Sequence, residues 1–456
     1  MVSAYNLNFD VLGLVFLYLS GNDLVSVALV SKAFLHGVTP RLYHSLVFTL
    51  KQAKKYPKIV SPFESLLARP ALGVYVRVCD ISAFPLYKGH PNQLFLSECI
   101  RALDICPNLT RFKLAPNVLP SFLLTLSRKE KLKELHANGS LTMEQAGILV
   151  TIKGLRVIRL DHMSWCLMNL FPRWLCVLSS TLTHLSFTFT AELNETVLEE
   201  MLMHLPKLRE LSIRNCVRIE HPAVFRLISH TPLLENLAVT TWENPAISST
   251  AFGEVSKLQH LHLDTRNTFV PASVEALWSS IIAHTKACDA SLTSLTLQLS
   301  DKLTLQQSTI EDIINAHADT LTSLRFVKCG ISMSSLRLIC RRCKKLQRLA
   351  IHIPMKELNF FTDAIAESNS MQTLIDEPDM FVTRGHRPSL KHEDVKAFMT
   401  RCPKLRHVVS DGTRSWKGSG DAGNLQITLE RLKTSSFPGV MTFPCAAACV
   451  PGDDDA

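Results

Sequence analysis

The sequence has few aromatic residues, modest charge and little glycine. Aromatic residues make up 7% of the 456 residues and charged residues 20%, whereas 46% are hydrophobic, so the core must be mostly aliphatic. The 17 glycines and 22 prolines are too few for a collagen-like or linker-like chain. At roughly 150 residues per domain, this length predicts about three domains, or instead a repeat array that grows by stacking.

Targeting and membrane signals are also missing. The apolar run at residues 11–19 has no basic segment before it and no small-x-small cleavage site after it. It is far shorter than the ~20 residues that a membrane span needs. The 13 cysteines are scattered singly and do not form a disulfide framework. We therefore expect a soluble intracellular protein, cytoplasmic or nuclear, with no membrane partner.

No catalytic or metal-binding motif is present. The sequence lacks a phosphate loop and a Gly-x-Ser-x-Gly elbow, and Cys340–Cys343 has ligand spacing but no second pair. The net charge of +9 lies almost wholly in residues 49–140, with 14 Lys or Arg against 6 Asp or Glu. Such a segment could attract an acidic partner, but no arginine-rich arm or interleaved aromatic residues accompany it. We expect no enzyme, cofactor, metal or nucleic-acid partner.

A Leu-x-x-Leu-x-Leu pattern recurs along most of the chain. The copies begin at Leu109, Leu132, Leu155, Leu182, Leu208, Leu234, Leu258, Leu292, Leu321 and Leu346, with weaker ones from Met371 and Leu405. In each copy the fourth and sixth residues, such as Leu211 and Ile213, should point inward from a short strand. Apolar residues at 197–205 and 274–282 are spaced for helices between strands. One strand and one helix cannot bury their own apolar face, so the copies must stack.

This pattern resembles the irregular leucine-rich repeats of intracellular proteins. The resemblance implies an α/β solenoid at residues 49–410, with about 12 repeats, a curved parallel sheet and outer helices. An ordinary α/β domain with leucine-rich strands is the alternative. The Gly/Ser-rich residues 411–456 should form a mostly flexible tail, with at most a short helix at Gln426–Lys433. The basic residues around Arg341–Lys345 are typical of a solvated helix face.

Residues 1–48 lie outside the repeats and predict three short helices. Apolar residues at 7–19 and 23–30 indicate the first two, and Ser31 can cap a third that Gly37 would end. Three helices in about forty residues rarely fold alone. The segment resembles the F-box, and Pro40–Tyr43 resembles the lead-in of the fungal F-box type. The matching residues are Leu7, Asp10, Val11, Leu12, Phe16, Leu19, Asp23, Leu24, Val30, Ser31, Lys32 and Phe34. The departures are Asn8, Phe9 and Gly13.

The resemblance implies a non-catalytic substrate-recognition subunit of a Skp–cullin–F-box ubiquitin ligase. The N-terminal helices would dock a Skp-family adaptor, and through it a cullin–RING ligase, while the repeats would bind an unknown protein substrate. We expect the adaptor contacts at Leu7, Val11, Leu12, Val15, Phe16, Leu19, Leu24, Val27, Val30 and Phe34. The alternative is an interaction scaffold without a ligase role, in which these helices only cap the solenoid.

By strand alternation, the substrate-binding face should carry polar side chains of neighbouring repeats. The candidates are Glu210, Arg214, Trp242, His260, His262 and Asp264. Trp242, expected just past its strand, is the hot-spot candidate because an exposed tryptophan is costly without a partner. A polar residue on this face is, however, more often merely solvated.

Overall fold

The computed structural model describes residues 9–16, 18–19, 21–242, 253–266, 271–377, 389–410, 412, 414–420 and 425–431. Two compact units divide the chain, at residues 1–234 and 235–456. Mixed α/β structure runs through both units, with parallel strands alternating with helices.

Unit 1 begins with a bundle of three helices: α1 (Phe9–Phe16), α2 (Gly21–Ala28) and α3 (Lys32–Leu42). The Ser31 side chain caps α3 by accepting a 3.2 Å hydrogen bond from the Phe34 amide. The prediction that Gly37 ends this helix is wrong, because α3 continues through Gly37 to Leu42. A Cβ atom on Gly37 would lie 2.8 Å from the Phe16 ring, so the missing side chain lets α1 approach α3 closely.

The sheet of unit 1 follows the bundle. Its parallel strands, in spatial order, are β1 (Ser45–Phe48), β2 (Val78–Ile81), β5 (Arg111–Leu114), β6 (Glu134–Asn138), β7 (Val157–Asp161), β8 (His184–Thr188) and β9 (Glu210–Arg214). A separate antiparallel pair is β3 (Leu86–Tyr87) and β4 (His90–Pro91). The connecting helices are α4 (Leu50–Ala53), α5 (Pro62–Leu67), α6 (Gln93–Asp104), α7 (Leu123–Ser127), α8 (Met143–Leu149), α9 (Trp165–Leu178), α10 (Glu195–Met203) and α11 (His221–Leu227).

Stacked leucines hold this sheet together. Leu185 is level with Leu211, and Phe187 with Ile213, and all four side chains are buried. Each strand therefore completes the apolar layer of its neighbour. The strands β1 and β2 were not among the predicted copies, and β1 lies within the residues assigned to the N-terminal helices.

Unit 2 repeats the scheme with parallel strands β10 to β16. They are β10 (Asn236–Trp242), β11 (His260–Arg266), β12 (Ser294–Thr304), β13 (Ser323–Gly330), β14 (Arg348–Ile351), β15 (Thr373–Asp376) and β16 (His407–Ser410). The helices are α12 (Pro271–Ala287), α13 (Gln307–His317), α14 (Met333–Arg342), α15 (Leu358–Ile365) and α16 (His392–Arg401). All twelve predicted copies thus form strands, β5 to β16.

The last described segment differs from the predicted tail. After β16 the chain forms two antiparallel strands, β17 (Arg414–Ser419) and β18 (Gln426–Arg431). The helix predicted at 426–433 is therefore wrong over its first six residues, and the rest lies outside the described residues. Trp416 anchors β17, with its ring buried and its indole N–H donating to the Ser410 hydroxyl at 3.2 Å.

A buried cation stabilises the carboxyl end of α6. The Lys129 ammonium donates to the carbonyls of Leu103, Asp104 and Cys106 at 2.6, 3.3 and 3.0 Å, and burial lowers the pKa of this lysine. A cation placed there also complements the helix dipole.

We therefore expect Lys129→Met to lower the free energy of unfolding of unit 1 by about 1–3 kcal/mol, because the carbonyls of Asp104 and Cys106 lose the lysine as donor, whereas the Leu103 carbonyl still accepts from the Cys106 amide. Urea unfolding measures the change. The control is Lys133→Met, at a lysine that is exposed. An equal loss of stability in both variants would contradict the assignment.

Candidate functional site

The inner face of the N-terminal bundle is a small apolar core. Leu12 and Phe16 of α1, Leu24 of α2 and Val38 of α3 are each at most 6% exposed. Leu19, Val27, Ala28, Phe34 and Leu42 pack around them and are partly buried. The Phe16 and Phe34 rings lie 5.7 Å apart at an angle of 54°. These residues hold the three helices together.

The outer face of α1 is also apolar, and it is exposed. Val11, Leu14 and Val15 share one face of α1 at the i, i+3 and i+4 spacing, and Tyr18, in the turn after α1, is 91% exposed. Exposed apolar side chains are also present at Val25 of α2 and at Leu29 and Val30 in the turn that follows α2. We call these seven residues the outer apolar face. A helix that is apolar on both faces normally has partners on both faces.

The structure separates the predicted adaptor-binding residues into two groups. Val11, Val15 and Val30 are exposed, whereas Leu12, Phe16 and Leu24 lie in the bundle's own core and Leu19, Val27 and Phe34 are partly buried. Leu7 lies outside the described residues. Contact of any of them with a partner stays a prediction. The sequence analysis did not select the exposed Leu14, Tyr18, Val25 and Leu29, although their helical spacing was visible.

A cleft of about 590 Å³ lies beside the bundle, where α3 leads into β1. Phe16, Leu24 and Gly37 form its apolar part, and Arg41 and His44 are on its polar side. Burial lowers the pKa of His44, and the guanidinium groups of Arg77, Arg41 and Arg111 lower it further. The surface at this end of the sheet is therefore positively charged.

The second candidate site is the open face of the sheet, defined here by the side chains that alternate with the buried leucines. Of the six predicted substrate contacts, Glu210, Arg214, His262 and Asp264 are less than 9% exposed, and His260 and Trp242 are partly buried. Trp242 is the last residue of β10, level with Arg266 of β11, rather than past the strand. Substrate contact by these residues stays a prediction, but most of them have little exposed surface.

Charged side chains on this face form ion pairs within the chain. The Glu210 carboxylate of β9 lies 3.2 Å from the Arg159 guanidinium, which reaches across β8, and 3.8 Å from the His184 ring. Further pairs join side chains on neighbouring strands of unit 1: Lys113 with Asp80, Arg111 with Glu134, and His136 with Asp161. In unit 2, Arg325 reaches Glu377 at 2.6 Å.

These pairs join residues 23–52 positions apart in sequence, and sequence reasoning did not find them. The sequence feature that could have revealed these pairs is the position of both partners in the repeat, because equivalent residues of adjacent strands lie about 4.8 Å apart. Several acidic groups on the open face are therefore already neutralised by cations of the same chain.

We expect removal of the buried carboxylate to cost more stability than removal of an exposed one. Glu210→Ala removes the hydrogen-bond acceptor of Arg159 and the carboxylate beside His184, and should lower the free energy of unfolding by about 1–3 kcal/mol. Glu134→Ala removes a more exposed pair and should cost about 0–1 kcal/mol. Chemical denaturation of both variants tests this, and a larger loss at Glu134 would refute it.

The described residues include neither a membrane-spanning helix nor a metal-ligand set. None of the described helices is long and apolar enough to cross a bilayer. No three His, Cys, Asp or Glu side chains come together as a metal-ligand set in the part of the chain that is described. Cys343 and Cys402 each end an outer helix, as predicted, and burial raises the pKa of their thiols to about 11 and about 12.

Comparison with known proteins assigns the N-terminal bundle. Residues 5–39 match the family model of the F-box domain. The search of curated proteins finds no match. The chain thus carries an F-box at its amino terminus, followed by a mixed α/β region with a long parallel sheet and leucine-rich-repeat-like structural neighbours.

Three solved structures illustrate these neighbours. The yeast Rad7–Elc1 complex aligns with a TM-score of 0.44 at 15% identity, over 84% of this chain and 92% of that chain. The TLR13–ssRNA13 complex aligns with a TM-score of 0.37 at 15% identity, over 74% of this chain and 43% of that chain. A leucine-rich-repeat protein of Leptospira interrogans aligns with a TM-score of 0.30 at 14% identity, over 74% of this chain and 85% of that chain.

Proposed function

We propose that this protein is a substrate-recognition subunit of a Skp–cullin–F-box ubiquitin ligase. In this proposal the N-terminal bundle docks a Skp-family adaptor, and through it a cullin–RING ligase, while the repeats hold the target protein. The chain itself carries out no chemistry, since ubiquitin transfer takes place on other subunits. It acts in the cytoplasm or nucleus, where such ligases work. The likeness of Pro40–Tyr43 to the fungal F-box type stays a prediction.

The observation that carries the proposal is the outer apolar face. Only Asp10 and Asp23 are charged between residues 9 and 30, so α1 and α2 offer a partner mainly apolar contact, whereas α3 carries Lys32 and Arg41. Burying one such side chain is worth about 1.5–3 kcal/mol before the cost of association is subtracted. Several together are enough for a stable heterodimer, and their exposure in the isolated chain is otherwise unfavourable.

A second candidate is a scaffold whose bundle only caps the repeats. It is favoured by the short link between α3 and β1, since Leu42 and Ser45 are separated by two residues. A cap uses one face of the bundle, however. Leu14 on α1, 61% exposed, and Tyr18 in the turn after it, 91% exposed, have no role in that account.

Substitutions on the outer apolar face separate the two candidates. We expect Leu14→Lys combined with Leu29→Lys to reduce retention of a Skp-family adaptor by about tenfold or more, because each change buries a charge at the contact. Both positions are exposed, so the thermal midpoint should hardly change. Quantitative co-purification and calorimetry measure the two effects.

The matched control is Leu124→Lys in α7, where the side chain is also 61% exposed. It should leave adaptor retention unchanged. Undiminished retention by the double variant, or an equal loss in the control, would favour the scaffold. Leu12, Phe16 and Leu24 are unsuitable for this test, because substitutions there disrupt the bundle's own core.

A further inference from the structure

A row of cations runs along one edge of the sheet of unit 1, at the residue after the first leucine position of each repeat. Backbone hydrogen bonds link the row strand by strand: Thr110 N to Arg77 O, Lys133 N to Thr110 O, Arg156 N to Lys133 O, Thr183 N to Arg156 O and Arg209 N to Thr183 O. Four of these six positions are Lys or Arg. We call these four, Arg77, Lys133, Arg156 and Arg209, the cation row. Five strand steps of about 4.8 Å give it a length of about 24 Å.

At the other two positions of this edge, the side chains are threonines whose hydroxyls bond to the backbone. The Thr110 hydroxyl donates to Arg77 O at 3.0 Å, and the Thr183 hydroxyl to Arg156 O at 3.2 Å. Lys133, Arg156 and Arg209 are exposed, whereas Arg77 is half-buried and its guanidinium donates to the carbonyls of Val74 and Val76 at 2.6 and 3.4 Å. Within the described residues, no ion pair joins Lys133 or Arg156 to a carboxylate.

The turns that lead into these strands add to the charge. Lys131, Lys153 and Lys207 are exposed there, against a single exposed carboxylate, Glu130. The acidic groups nearest on the open face, Glu134 and Glu210, are paired with Arg111 and with Arg159 and His184. The positive charges of Lys133 and Arg156 are therefore not neutralised by a carboxylate among the described residues.

The equivalent edge of unit 2 provides an internal comparison. The same chain of backbone hydrogen bonds there links Glu235, Gln259, Thr293, Thr322, Gln347, Gln372 and Arg406. Only the last is a cation, and the first is an anion. The repeat fold alone therefore does not require Lys or Arg at this position, so the cation row is a property of unit 1.

We propose that the cation row docks an extended acidic segment of a protein target. A seven-residue extended segment spans about 24 Å, so its carboxylates can reach Lys133 and Arg156 and extend along the row on either side of them. The proposal rests on the receptor role proposed above. It adds to that role the prediction that the bound segment of the target is acidic. The binding itself needs only this chain.

A peptide fits this edge better than a nucleic acid does. Proteins that bind single strands combine cations with aromatic rings on which bases stack. No Phe, Tyr or Trp precedes or follows any residue of the cation row in sequence.

The experiment measures peptide binding to the full chain in the absence of any adaptor. A lack of peptide binding would therefore contradict this proposal without bearing on whether the bundle docks an adaptor. A labelled heptapeptide of alternating Glu and Asp is titrated with the protein by fluorescence anisotropy, at low and at physiological ionic strength. A Gln/Asn heptapeptide and a labelled oligothymidylate are titrated in parallel. The test variant is Lys133→Gln with Arg156→Gln. The control is Lys344→Gln with Lys345→Gln, which removes the same charge from exposed lysines of unit 2.

We expect salt-sensitive binding of the acidic peptide, weakened about tenfold in the test variant and less than twofold in the control. The neutral peptide should not bind. An equal loss in both variants would show that only net charge matters and would overturn the proposal. So would the absence of acidic-peptide binding by the unmodified chain at low ionic strength. Tighter binding of the oligothymidylate through the same two residues would overturn the choice of a peptide.

Discussion

This structure depends on burying apolar side chains that no single helix or strand can cover alone. A repeat strand such as β8 presents Leu185 and Phe187 to a layer that only its neighbours complete. Stacking repeats satisfies this requirement within each unit. The N-terminal bundle satisfies it for Leu12, Phe16 and Leu24 but leaves the outer apolar face exposed. The same physical requirement that builds the repeats therefore supports the proposal that a second polypeptide covers this face of the bundle.

Charge is distributed in a different way from apolar surface. On the open face, cations and carboxylates pair with each other, as Arg159 does with Glu210, and so give the face a fixed arrangement. In the cation row of unit 1, Lys133 and Arg156 are exposed and have no carboxylate partner among the described residues. The distinction matters for recognition, because a paired charge must be separated from its partner before it can bind another.

Much of the fold was predictable because its signal is local and repeated. The Leu-x-x-Leu-x-Leu pattern located twelve strands, since buried leucines at fixed spacing are required in every copy. The strands β1 and β2 were missed because Leu46 and Cys79 belong to shorter apolar runs. The exposed strand β18 has no inward face, so its sequence lacks the alternation that predicts a strand.

The candidate sites were less predictable, because they depend on which side of an element faces its neighbours. Periodicity identified apolar residues in α1 but not that Leu12 packs inward while Leu14 is exposed. Gly37 has the residue type of a helix end, yet its role is close contact with Phe16. The partners of Glu210 lie on other strands, and only the register of the sheet brings them together.

Amide hydrogen exchange across α1 and α2 tests the central claim most directly. If another polypeptide completes the bundle, amides at residues 11–18 and 25–30 exchange faster than those of the repeat strands in the isolated chain, and they become protected when a Skp-family adaptor is added. Protection equal to that of the repeat strands in the isolated chain, unchanged by the adaptor, would contradict the account.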